Sequence, residues 1–184
     1  MRNNDANFHK AIGCGERPLD LRSSRIVGGK DAFYGEAPWQ ALIKEARFFG
    51  LWRYNKCGAV LISHNWVITA AHCNSGLFGS LQVIFGEHNL KSIETEVSDR
   101  GLVERDPVIK KAKRIVIHPN YNHLTLENDL ALIELESDVD YDQHIQPICL
   151  PEKGTDFVGA EAYVSGWGVL SYRKSNIFGI FQIN

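Results

Sequence analysis

The chain has 184 residues, 44% hydrophobic and 23% charged, a composition that builds one folded domain with a core rather than a disordered polymer. Its 20 Lys and Arg against 22 Asp and Glu leave a formal net charge of -2, so it lacks the basic excess needed to grip a phosphate backbone, and nucleic acid is excluded as a first reading. No apolar run approaches the roughly 18 residues of a membrane span, and the polar opening carries no signal-peptide stretch.

The leader, 1–25, is polar, holds one cysteine, and ends in Arg22-Ser23-Ser24-Arg25, which reads as a flexible, protease-accessible segment. Beyond it, glycine, proline, asparagine and charge clusters cut the sequence into short apolar pieces without sustained helical periodicity. Strands are expected at 40–44, 59–62, 66–69, 81–85, 112–117, 130–135 and 161–165. Their β-branched and aromatic content, and turn signals such as His118-Pro119-Asn120 between them, predict an all-β closed barrel or sandwich. The charged stretch 94–113 reads as a solvated loop plus the entry to a strand. The tail contains Ile177-Phe178-Gly179-Ile180-Phe181, an aggregation hazard if exposed. No internal repeat is present.

Four cysteines, Cys14, Cys57, Cys73 and Cys149, permit three full pairings. No C-x-x-C pair or H-x-x-x-H partner supports a structural zinc site, so disulfides are the better reading. Disulfides need an oxidising compartment, which predicts that the N-terminus is internal to a longer secreted or membrane-anchored precursor.

Acyl transfer by a hydroxyl needs a histidine to take its proton and a carboxylate to hold that imidazole in the right tautomer. His72 stands in Thr69-Ala70-Ala71-His72-Cys73, directly after the apolar Trp66-Val67-Ile68. Asp129 stands in Glu127-Asn128-Asp129-Leu130-Ala131-Leu132, at the start of an expected strand. Alone, each has a plainer explanation: a histidine at a strand end is more often packed or solvated, and an aspartate there is usually a turn residue.

Taken together with their surroundings, these motifs resemble the trypsin/chymotrypsin family of serine endopeptidases. Arg25-Ile26-Val27-Gly28-Gly29 is similar to the family's activation junction, Ala37-Pro38-Trp39-Gln40 to its first barrel strand, and Cys57-Gly58-Ala59-Val60-Leu61-Ile62 to the strand before the catalytic turn. Pro147-Ile148-Cys149-Leu150-Pro151 and Ser165-Gly166-Trp167-Gly168 resemble the link to the second barrel and its opening. The similarity runs from about Cys14 to Gly168 and is closest in flavour to the arthropod stubble- and filzig-like proteases, whose protease domains end larger membrane-anchored precursors.

The resemblance implies a double Greek-key β-barrel with the first barrel complete and the second largely missing, divided into a leader 1–25, a partial protease domain 26–168 and a divergent tail 169–184. It implies His72 as general base and then general acid, Asp129 as its orienting partner, and activation by a trypsin-like protease cutting between Arg25 and Ile26. The freed ammonium of Ile26 would order the oxyanion site. Cys57 pairs with Cys73 under this reading, closing a loop for which chain entropy gives about 3 kcal/mol. That leaves Cys14 with Cys149, a bridge that keeps the leader attached after cleavage. Protein and peptide substrates and protease inhibitors are the implied partners. No cofactor and no metal is expected; Gly86-Glu87-His88-Asn89-Leu90 lies where relatives sometimes hold calcium, but with Glu94 and Glu96 it reads equally well as an irregular charged loop.

The sequence also departs from the family. No Gly-Asp-Ser-Gly-Gly follows Gly168, and Ser171 and Ser175 lie in an unlike context. No nucleophile is therefore expected, and the chain as written is expected to be inactive, with 161–165 left short of strand partners. A protease homologue that binds without chemistry is the alternative. The break near Val169 is what a retained intron, a misjoined exon or an alternative transcript gives.

Overall fold

The computed structural model describes residues 13–19, 30–47, 52–74, 80–88, 90, 106–167 and 179–183. The junction Arg25-Ile26, the acidic Glu94 and Glu96, and the serines Ser171 and Ser175 lie outside them. The elements are β1 (Lys30–Asp31), β2 (Gln40–Arg47), β3 (Trp52–Ser63), β4 (Trp66–Thr69), a 3₁₀ turn (Ala71–Cys73), β5 (Ser80–Phe85), β6 (Val108–Ile117), β7 (Ala131–Leu135), β8 (Ala162–Gly166) and β9 (Gly179–Ile183). The fold is all-β, as expected. Among the described residues no helix is long and apolar enough to cross a membrane.

Six strands close into a barrel in the order β2-β3-β4-β7-β6-β5, with β2 hydrogen-bonded to β5. Alternation drives it: along β2, Ala41 and Ile43 point inward, and along β5, Leu81, Val83 and Phe85 do. Antiparallel register then stacks these residues on one another, Ile43 opposite Val83 and Val67 opposite Ile133, all fully buried. Ala59 and Ala41 face each other beside Phe85 in the same row; two small side chains make room for the large ring, the size alternation a narrow barrel needs. Breaks in register at Ile43/Lys44, Leu61/Ser63 and Ala112/Arg114 bend the strands around the closure.

A second layer, the sheet β1-β9-β8, lies beside the barrel. The Ser165 hydroxyl donates to Gln40 Oε1 at 2.8 Å, and Trp167 Nε1–H donates to the His88 carbonyl at 2.9 Å, so both contacts tie the end of β8 to the barrel. The strand near 161–165 is therefore not left without partners: β9 pairs with it along Ala162–Gly166 and reaches β1 on its other side. Gly179, Ile180 and Phe181, the described part of the apolar run that the sequence marks as a hazard, belong to this strand and meet an otherwise unpaired row of backbone donors and acceptors.

The leader is held at residues 13–19. Cys14 is bonded to Cys149, with Cα atoms 5.0 Å apart, and the Gly15 amide donates to the Pro147 carbonyl at 2.8 Å. The Arg17 guanidinium lies 5.3 Å above the Trp39 ring. At Gly35, with φ +78°, a Cβ would come within 2.8 Å of Leu19 and 3.0 Å of His144, so only glycine lets the leader pack this closely.

Candidate active site

His72 leaves the barrel at the end of β4. Ala70 is extended, at φ -76° and ψ 145°, and the chain then makes one 3₁₀ turn closed by the Cys73 amide donating to the Ala70 carbonyl at 3.1 Å. Ala71 and Cys73 are buried on either side of His72, which turns its side chain outward, 54% exposed. Two anchors fix the turn against β3: the Cys57–Cys73 disulfide, with Cα atoms 6.1 Å apart, and the Thr69 hydroxyl, which donates to the Gly58 carbonyl at 2.8 Å.

Asp129 arrives from the other direction, just before β7. Because β4 pairs with β7, Thr69 opposite Ala131, the exit of one strand lies beside the entry of the other. Two residues that are 57 positions apart in sequence are thereby brought into double contact. The His72 backbone N–H donates to Asp129 Oδ1 at 2.9 Å, and His72 Nδ1 lies 2.6 Å from Asp129 Oδ2. An ionised carboxylate only accepts, so Nδ1 carries the ring proton and, in the neutral imidazole, Nε2 is left as the basic nitrogen. The hydrogen bond from the His72 ring, reinforced by the backbone amides of His72 and Ala71, holds the Asp129 carboxyl below the usual carboxylate range against the opposing cost of its desolvation. The aspartate stays charged at neutral pH and keeps the imidazole oriented.

An open cleft of about 380 Å³ runs beside the carboxylate, between the barrel and β8, lined in part by Thr69, Ala70, Asp129, Tyr163 and Ser165. Among the described residues, the one grouping of metal-ligating side chains is Cys57, His72 and Cys73, and both of its sulfurs are committed to the disulfide. Glu87, at the site weighed for calcium, instead faces the Lys44 ammonium at 3.9 Å. Burial raises the Glu87 carboxyl above its ordinary value, with Lys44 and the His88 backbone amide acting in the opposite direction.

The sequence places Asn128 in the motif around Asp129 but assigns it no role of its own; its carbonyl and side chain shape the turn that carries Asp129. The signal was present in the Asn-Asp dipeptide, since asparagine is the residue type that tolerates tight and left-handed turns.

The ends of β4 and β7 thus deliver an imidazole and a carboxylate to one edge of a closed barrel. The trypsin family model matches residues 26–178, and the chain belongs to that family. It is 46% identical over 166 residues to the serine protease filzig of Drosophila melanogaster, covering 90% of this chain and 9% of that protein. To the serine proteinase stubble of the same organism it is 40% identical over 161 residues, covering 86% of this chain and 19% of that one. Among solved structures, the Drosophila Grass clip serine protease of the Toll pathway superposes with a TM-score of 0.74 at 26% identity, over 93% of this chain and 49% of that one. The chain thus spans a minor part of the length of these curated relatives.

Proposed function

We propose that this chain is the histidine- and aspartate-bearing part of a trypsin-like serine endopeptidase. The observation that carries the reading is the two-point contact of Asp129 with His72, which fixes the ring tautomer and leaves Nε2 to work as base and then acid. In peptide hydrolysis, His72 Nε2 takes the proton of an attacking serine hydroxyl and returns it to the leaving amine, while Asp129 stabilises the imidazolium formed between the two steps. Proteolysis between Arg25 and Ile26 is the activation event, performed by a protease that cuts after a basic residue. Protein substrates and protease inhibitors are the partners. Two disulfides support an oxidising compartment, and the reading takes the chain to be secreted or on the outer face of a membrane-anchored precursor.

The 184 residues hold no Gly-Asp-Ser-Gly-Gly segment, and on this reading the polypeptide by itself supplies no nucleophile for His72. Cleaved after Arg25 and offered a fluorogenic arginyl peptide, it is expected to give no turnover; hydrolysis that disappears in His72→Ala would overturn that expectation. Fusing residues 1–168 to the serine-bearing half of a trypsin-family relative is expected to give activity. In the fusion Asp129→Asn should lower kcat about 10⁴-fold, the loss that exchange causes in trypsin. An active fusion indifferent to both His72→Ala and Asp129→Asn would refute the assignment.

A further inference from the structure

Among the described residues, two non-glycine residues take the left-handed backbone region, and both lie just before the carboxylate: Leu126 at φ 59° and Asn128 at φ 54°. Such conformations are unfavourable and persist where the surroundings over-determine them, which happens most often at working sites. Here the surroundings are explicit. The Asn122 amide donates to the Glu127 carbonyl at 3.0 Å, the Leu126 amide donates to the Asn122 carbonyl at 2.8 Å, and the Leu124 amide donates to Asn122 Oδ1 at 2.9 Å. Residues 122–127 form a closed loop whose exit is Asn128.

Asn128 then makes two bonds that bracket Asp129. Its carbonyl accepts from the Leu130 amide at 2.7 Å, closing a three-residue turn centred on the aspartate. Its side-chain Nδ2 donates to the Asn120 carbonyl at 3.1 Å, tying the turn to the segment that follows β6. Asparagine takes the left-handed region at less cost than other residues with a Cβ, so backbone direction and side-chain tie come from one residue.

We propose that Asn128 is a positioning residue for Asp129: its left-handed backbone and its tie to Asn120 set the direction from which the carboxylate meets His72 Nδ1. The inference rests on reading His72 and Asp129 as the catalytic pair. Both carboxylate oxygens are engaged, at 2.9 Å and 2.6 Å, so a displacement of the turn weakens two bonds together. Alanine at 128 removes the tie and disfavours the left-handed backbone, whereas glycine removes the tie alone.

The test is nuclear magnetic resonance on the disulfide-intact 184-residue chain, reading from the His72 ring nitrogens which one carries the proton and from the Asp129 carboxyl carbon its titration midpoint. The unsubstituted chain is expected to hold the Nδ1–H tautomer. Asn128→Ala should shift the ring population toward Nε2–H and move the Asp129 midpoint up toward the ordinary carboxylate range. Asn128→Gly should do both to a smaller extent. A lowered melting temperature with tautomer and midpoint unchanged would overturn the positioning role. If Asn128→Ala loses the amide pattern of the barrel, Asn128→Gly decides: a moved midpoint supports the role and an unmoved one overturns it. Asp129→Ala separates the two ideas. Should it abolish the Nδ1–H preference while Asn128→Ala and Asn128→Gly do not, the pair stands and the role of Asn128 falls. Should Asp129→Ala leave the tautomer unchanged, the catalytic pair falls, and the positioning role with it.

Discussion

At the scale of single residues, two carboxylates outside the barrel interior bind their partners more tightly when ionised. Asp129 is held low chiefly by the His72 hydrogen bond, and Glu134 by its hydrogen bonds to Lys113, 2.7 Å away, and to Arg114, whose guanidinium also lies 5.4 Å from the Trp66 ring centroid. Because the folded pKa of each lies below its unfolded value, each adds stability above the ordinary carboxylate range and loses that contribution as pH falls through the depressed folded value. The expected outcome is an acid limb, below about pH 4.5, over which the urea midpoint declines. Glu134→Gln should flatten part of it and lower the midpoint at neutral pH, and Asp129→Asn should do the same independently, since among the described residues the two carboxylates share no partner. A series of urea titrations between about pH 3 and pH 6 checks both.

At the scale of elements, the site depends on how β4 and β7 pair. Val67 and Ile133 face each other at full burial on the strands whose ends hold His72 and Asp129. Ile133→Ala should cost about 2–5 kcal/mol, read from chemical denaturation, because the barrel wall cannot collapse into the space left. The cores of these strands were legible in the sequence: their alternation is clean, and 66–69 appears in the structure with the same limits. Where the outward face is charged, the signal was weaker. Strand β6 begins at Val108, four residues before the expected 112, because Lys110, Lys111 and Lys113 resemble a loop while Val108, Ala112 and Ile115 pack on the core. Strand β3 likewise starts at Trp52, where a polar run hides its β character. The two-residue β1 and the tail strand β9 gain their structure only from pairing, which no local pattern announces. The approach of His72 to Asp129 could be read only through family resemblance, since nothing in either motif names the other.

At the scale of the whole molecule, the Cys14–Cys149 bond spans 135 positions and connects the leader to the segment between the barrel and the second sheet. Cleavage after Arg25 should therefore leave one species by mass spectrometry without reductant and two with it. Removing the bond by Cys14→Ala with Cys149→Ala should cost about 5 kcal/mol in the chain-entropy account, measurable as a lowered denaturation midpoint. Barrel closure has a different consequence, one of timescale. Each of its six strands has two hydrogen-bonded neighbours, whereas β8 and β1 are the outer members of a three-stranded sheet. Deuterium uptake should accordingly separate into two regimes, with amides of β4 and β7 exchanging orders of magnitude more slowly than those of β8. Since His72 and Asp129 both depart from the slow unit, the imidazole and its carboxylate should stay assembled through openings that transiently unravel the neighbouring sheet.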